Sequence, residues 1–258
     1  MTPTSSLPPG FLHRPFAHRG LHGHGRPENS RSAILAAVEA DYGIEIDLQP
    51  AVDGTPMVFH DATLDRLTQS TGAIAQRSAA ELGSLKLTGC DDTIPRLEEV
   101  LALVAGRVPI LIELKDQSGA LVSGPPTLEP ATAELLRVYQ GPAAVMSFNP
   151  HMIASIAKLA PEIPRGLVTC AFDPDHWPDL ASENARALGQ ISTADTLRIA
   201  FISHEHHDLS ARAVAVQRRA GRAILCWTIK SPEAERAALY HADAITFEGY
   251  LPEAAVKA

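Results

Sequence analysis

Short apolar runs alternate along this chain with longer stretches in which apolar residues recur every three or four positions. The runs fall at 16–18, 44–49, 109–114, 143–148, 166–170, 199–203, 223–229 and 244–247, and aliphatic residues dominate them. Runs of that length read as strands, and the periodic stretches between them as helices. Helical spacing occupies 97–105, 131–139, 152–159, 179–188, 210–220 and 232–240, while Ser30 is placed to cap an alanine-rich helix that Asp41-Tyr42-Gly43 ends. Asp53-Gly54 is a turn signal between two strand-like runs, so 57–60 is expected to return beside 44–49 as a hairpin. Residues 61–93 break the rhythm with glycines at 72, 83 and 89 and a single short helix at 78–82, and read as an excursion. Strands and helices in alternation imply parallel pairing through right-handed crossovers. Eight such repeats in 258 residues predict a (β/α)8 TIM barrel, a single domain over 1–258 with a small insertion after the hairpin of the second strand. No G-x-G-x-x-G follows a strand, which argues against a dinucleotide fold.

The polar exceptions inside these runs carry the chemistry. In Glu45-Ile46-Asp47 the two acids fall at alternate positions, so both side chains share one face of a strand, roughly 7 Å apart. The run Ile112-Glu113-Leu114-Lys115 repeats the device on the next forward strand. Three carboxylates gathered this way repel one another unless a cation lies between them. Either nearby Arg and Lys side chains supply that charge or a metal does. An all-oxygen donor set without cysteine favours Mg²⁺ or Ca²⁺, with Mn²⁺ also fitting, over zinc. His18 and His60 flank the acids in sequence, and functional groups in such barrels collect at the carboxyl ends of strands, where His18, Asp47, Glu113, Ser147, His204 and Trp227 all fall.

Composition narrows the class. The chain is 45% hydrophobic and 20% charged, enough for a large core, and its net charge of −8 with no Lys/Arg run argues against nucleic acid or an anionic membrane as the main partner. No stretch reaches 18 apolar residues, and residues 1–10 lack the basic and apolar regions of a secretory signal, so a cytoplasmic location without a membrane span is expected. Cys90, Cys170 and Cys226 are far apart and form no C-x-x-C pair, which leaves no zinc knuckle and no disulfide framework. Oligomeric state has no signature here.

Six elements, taken in order, resemble the glycerophosphodiester phosphodiesterase family: His18-Arg19-Gly20, Glu28-Asn29, Glu45 with Asp47, Asp53-Gly54, Phe59-His60-Asp61, and Glu113 with Lys115. Thr63-Leu64-Asp65-Arg66 and Ile94-Pro95-Arg96-Leu97-Glu98-Glu99 match the family's style too, and the likeness weakens after about residue 150. The resemblance implies metal-dependent hydrolysis of a small glycerophosphodiester to sn-glycerol 3-phosphate and an alcohol. It implies His18 and His60 as the acid/base pair and Glu45, Asp47 and Glu113 as holders of a divalent cation. It also implies Arg19 and Lys115 on the phosphate, Glu28 as a metal or substrate contact, and Trp227 as a wall on the glycerol side.

The residues alone leave several roles open. Trp227 is equally a core aromatic, and Asn29 a turn residue or a phosphate donor. In the run 203–208, His204 is expected to line the pocket, with His206 and His207 exposed and no second metal site. Lys230, and Glu248 after Thr246-Phe247, stand where the family often has Asn and a Thr-Asp pair, so a lysine at the rim points to an anionic head group over choline. A related barrel lyase that stops at a cyclic phosphate, and a non-catalytic phosphate-binding barrel, are the rival readings.

Overall fold

The computed structural model describes residues 6–252. β1 (Phe16–Ala17) leads through a loop to α1 (Arg31–Glu39), β2 (Gly43–Pro50) and the short β3 (Pro56–Val58). After α2 (Ala79–Leu82) come α3 (Leu97–Val104), β4 (Ile110–Leu114), α4 (Glu129–Val138), β5 (Ala143–Ser147), α5 (Pro150–Leu159) and β6 (Arg165–Thr169). The remainder is α6 (Ser182–Gly189), α7 (Ala194–Leu197), β7 (Phe201–Glu205), α8 (Arg212–Arg219), β8 (Ala223–Ile229), α9 (Pro232–Ala238) and β9 (Ala244–Phe247). The sheet runs β1-β9-β8-β7-β6-β5-β4-β2, and β1 pairs back with β2 to close the ring. Every pairing around the ring is parallel, and β3 folds antiparallel onto β2 as the expected hairpin. The fold is a (β/α)8 barrel.

Alternation along each strand divides the core in two. Ile44, Ile46 and Leu48 of β2 with Ile110, Ile112 and Leu114 of β4 pack outward against the helices. Phe16, Leu111, Met146, Val168, Phe201 and Leu225 fill the barrel itself. Two rings take their room from glycines: a Cβ at Gly43 would run into the Phe16 ring, and one at Gly166 into the Phe201 ring. Phe11 closes the lower end, its ring centroid 5.3 Å from that of Phe16.

The excursion after β3 has a small core of its own, with Met57, Phe59, Leu64, Ile74 and Leu82 buried together. Its short helix begins with a capping box in which Ser78 and Glu81 satisfy each other's backbone N–H groups. Two expectations need correcting. The sixth forward strand runs 201–205, two residues later than expected, because Arg198 turns through a left-handed conformation (φ 51°) after an additional helix, α7. The stretch 179–188 is helical only from Ser182, and α6 buries none of its residues, so no apolar stripe marks its start.

Candidate active site

At the carboxyl ends of the strands, β2 and β4 pair with Asp47 directly opposite Glu113, and the alternation of β2 brings Glu45 onto the same inner face. Glu45 and Asp47 are 2% and 1% exposed, and donor oxygens of Glu45, Asp47 and Glu113 lie within 4.8 Å of one another. Lys115 Nζ bridges two of these acids, 2.7 Å from Asp47 and 2.7 Å from Glu113. Asp47 accepts a further hydrogen bond from Asn29 Nδ2 at 2.9 Å, while Arg19 Nε stands 3.3 Å away without hydrogen-bond geometry.

The charges settle unevenly. Burial would raise the Asp47 carboxyl, but Lys115, His60 and Arg19 outweigh it and hold it below the usual range. Burial also presses on Lys115, and Asp47 and Glu113 overcome it to keep the ammonium above its ordinary value. Glu45 goes the other way: burial first, then the neighbouring Asp47 and Glu113, push it well above the carboxylate norm. Its Oε2 has the Arg19 amide at 3.0 Å and His18 Nε2 at 3.9 Å, but no full cation in contact. With all three acids ionised, one ammonium and a shared guanidinium would not balance the charge, and Glu45 holds its proton the more tightly for it. In donor type and in charge the residues fit a hard divalent cation. Both readings of the acids therefore coexist, since Lys115 neutralises part of the cluster and Glu45 is left over.

The tight loop after β1 explains why Arg19 and Gly20 are where they are. Arg19 (φ 54°) and Gly20 (φ 79°) turn through the left-handed region, and a Cβ on Gly20 would stand 2.9 Å from the Ala33 carbonyl carbon of α1. That turn carries the Arg19 side chain across to Glu28, 2.7 Å from Nη1, while Arg66 grips the same carboxylate at 2.8 Å. Asn29 is also left-handed (φ 59°), so it is a turn residue and at the same time the donor that fixes Asp47.

Each histidine is held at Nδ1 by a carboxylate. His18 Nδ1 lies 2.6 Å from Glu248 Oε2, and His60 Nδ1 lies 2.7 Å from Asp61 Oδ1. Nε2 is the nitrogen of each ring that stands outside these two contacts. Arg66 donates to Asp61 as well, and pulls its pKa down to about 2. Glu248 also meets Lys230 at 2.8 Å and His22 at 3.6 Å, and His18, followed by His22 and Lys230, holds it far below the carboxylate norm. Burial lowers His60 from its ordinary value, Asp47 opposing.

A cavity of about 120 Å³ brings together His18, Arg19, Glu45, His60, Glu113, Lys115 and Trp227, with Phe148 on the wall. Trp227 is a wall residue whose Nε1 donates to the Ser203 carbonyl at 3.0 Å and whose ring meets Phe148 edge-on at 5.7 Å. Glu28 does not line the cavity; it reaches it through Arg19. Lys115 and Arg19 face the cavity while already paired with acids. Two residues were not singled out from sequence. In sequence Glu248 stands out only as a departure from a pattern, and Asp61 only as part of a motif; a carboxylate one residue past the last strand is the available signal.

His204 corrects an expectation. It lies on the outer face of β7, buried, with Nδ1 2.8 Å from Thr169 Oγ1 and Nε2 3.3 Å from Asp208, and not on the pocket wall. The later end of β7 is the reason, since alternation from Phe201 sends Ser203 and Glu205 inward and His204 outward. Glu205, His206 and His207 do bring donor atoms within 4.8 Å of one another, at the exposed end of that strand.

Comparison with known proteins agrees with this geometry. A glycerophosphodiester phosphodiesterase of Bacillus altitudinis is 32% identical over 183 residues, which cover 67% of this chain and 73% of the relative. The structure of an Oleispira antarctica phosphodiesterase in complex with the product sn-glycerol-3-phosphate matches with TM-score 0.73 at 27% identity, over 93% of each chain. Glycerophosphodiester phosphodiesterase of Agrobacterium tumefaciens shares the fold, with TM-score 0.66 at 24% identity over 90% of this chain and 95% of that one. The model of the glycerophosphoryl diester phosphodiesterase family matches residues 18–248, a span that begins and ends on the two side chains paired at 2.6 Å across the mouth. By that match the chain belongs to the glycerophosphoryl diester phosphodiesterase family.

Proposed function

We propose that the chain hydrolyses glycerophosphodiesters to sn-glycerol 3-phosphate and an alcohol, with His18 and His60 as the acid/base pair and Glu45, Asp47 and Glu113 holding a divalent cation. The observation that carries this reading is the pair of carboxylate-anchored imidazoles facing one cavity floored by buried acids. When bound, the cation supplies Lewis-acid charge to the non-bridging phosphoryl oxygens. Arg19 and Lys115, both in the cavity lining, add fixed positive charge for the same anion. Glu28, gripped by Arg19 and Arg66, fixes the guanidinium that meets the phosphate. His60, pressed below its ordinary value by burial, is neutral at pH 7 and suited to accept a proton at Nε2. His18, whose Nδ1 is held by the ionised Glu248, is suited to give its Nε2 proton to the departing alkoxide. Trp227 and Phe148 wall the glycerol side and keep water from it. Mg²⁺ or Ca²⁺ suits the oxygen donors, and the free thiols of Cys90, Cys170 and Cys226 suit a reducing cytoplasm. Among the described residues no helix is long and apolar enough to cross a membrane.

Phosphorus NMR of glycerophosphoethanolamine turnover tests the reading. Accumulation of sn-glycerol 3-phosphate that stops with a chelator and returns with Mg²⁺ or Ca²⁺ is expected. Full activity in chelator-washed protein contradicts the metal role, and a cyclic phosphate as the lasting product favours the lyase alternative.

A further inference from the structure

Gln49 follows Glu45 and Asp47 on the inner face of β2, as the alternation of the strand requires. It differs from them in carrying no charge. It is 3% exposed, and a buried amide is costly unless its N–H and C=O groups find partners. Here the partners belong to the site. Gln49 Nε2 donates to the His60 carbonyl at 2.9 Å, and its Oε1 accepts from Gln117 Nε2 at 2.8 Å. Gln117 Nε2 also donates to the Lys115 carbonyl at 2.9 Å. A carbonyl only accepts, so the His60 contact orients the Gln49 amide and leaves its oxygen to Gln117. These groups form a line from the segment after β4, over the end of β2, to the segment after β3.

The line meets His60 where regular structure has ended. β3 stops at Val58, paired in register with Leu48, and the next N–H, that of Phe59, still donates to the Asp47 carbonyl at 3.0 Å. One residue further, the Gln49 side chain continues what the strand's main chain began. His60 is thus held at two points, its Nδ1 by Asp61 at 2.7 Å and its main chain by Gln49. Asp61 is its neighbour in sequence and is gripped by Arg66 from the excursion. Of the two partners, Gln49 is the one seated on the strand that carries Glu45 and Asp47.

We infer that Gln49 is a positioning residue for the proposed hydrolysis: it fixes the place of the His60 imidazole relative to the acids of β2, and Gln117 keeps its amide turned for that task. The inference rests on the reading of His60 as the base. A displaced base leaves substrate binding intact and makes proton transfer rarer, so a loss in kcat with KM kept is its signature.

Gln49→Met keeps the length of the side chain and loses both hydrogen bonds. Steady-state kinetics on glycerophosphoethanolamine are expected to show kcat about tenfold lower and KM within about twofold of wild type. Because the base is needed whatever the leaving group, the same loss is expected on a nitrophenyl glycerophosphodiester. Gln117 is exposed, and Gln117→Ala is expected to lower kcat about threefold by itself and to add nothing to Gln49→Met, as for two members of one network. Proton–nitrogen correlation spectra of the imidazoles read the geometry without turnover: the His60 ring nitrogens are expected to shift in Gln49→Met, and those of His18 to stay. An unchanged kcat, a loss confined to KM, recovery on the nitrophenyl ester or unmoved His60 resonances overturns the inference. Full activity in His60→Ala overturns the reading of the base, and the resonance shift then still decides whether Gln49 holds the ring.

Discussion

Glu248 is the residue whose importance depends most on the fold. It lies 230 positions from His18, and closure of β9 onto β1 brings its carboxylate to 2.6 Å from the ring. Replacing it by Gln keeps the shape and removes the charge that orients the ring and fixes its tautomer. Glu248→Gln is expected to lower kcat by roughly ten- to a hundredfold, part of the ~10²–10⁴ that general acid–base catalysis supplies, with little change in KM. Steady-state kinetics checks this, and an unchanged kcat sinks it. Arg66 allows a second prediction. Its hydrogen bonds take Asp61 to about 2 and, with Arg19, lower Glu28 against the effect of burial. A folded value below the unfolded one adds stability above the unfolded pKa, and that stability is lost as pH falls through the folded value. Urea midpoints of wild type and Arg66→Ala are therefore expected to differ at pH 7 and to converge between about pH 4 and about pH 2. Salt is expected to narrow the gap, because Arg66 is largely exposed. A difference that stays constant down to pH 2 contradicts the pairing.

The elements were largely legible because each forward strand is a compact apolar run, and the polar alternation at Glu45, Asp47 and Glu113 gave the inner face directly. Where the pattern was silent, the expectation slipped. The apolar run opens two residues ahead of β7 because Ile199, fully buried before the strand, extends it backwards. With an end expected at Ser203, His204 falls beyond the strand, whereas β7 continues to Glu205 and alternation turns His204 to the outer face. Packing inside the barrel was not legible either, as nothing in sequence pairs Gly166 with Phe201. The pairing yields a prediction: Gly166→Ala forces its methyl into the Phe201 ring and is expected to cost about 1–3 kcal/mol of unfolding free energy, the usual penalty of overpacking. Denaturant unfolding measures it. A neutral result means that the ring moves aside freely.

At the scale of the molecule, the site is assembled from both ends of the chain. The first 115 residues carry the motif that sequence could read, with both histidines, all three acids and both cations of the floor. The last 32 residues carry Trp227, Lys230 and Glu248, which only barrel closure brings to the same mouth. Lys230 was expected to select an anionic head group, but its ammonium is already 2.8 Å from Glu248, so its first effect is on the anchor of His18. The proposed mechanism divides the labour between the two imidazoles, and leaving-group dependence tests that division most directly. An alkoxide needs a proton as it leaves, and a nitrophenolate hardly does. Kinetics of His18→Ala and His60→Ala on an alkyl and on a nitrophenyl glycerophosphodiester are expected to find His18→Ala largely rescued on the nitrophenyl ester and His60→Ala inactive on both. Equal losses for both variants on both esters would contradict separate acid and base roles.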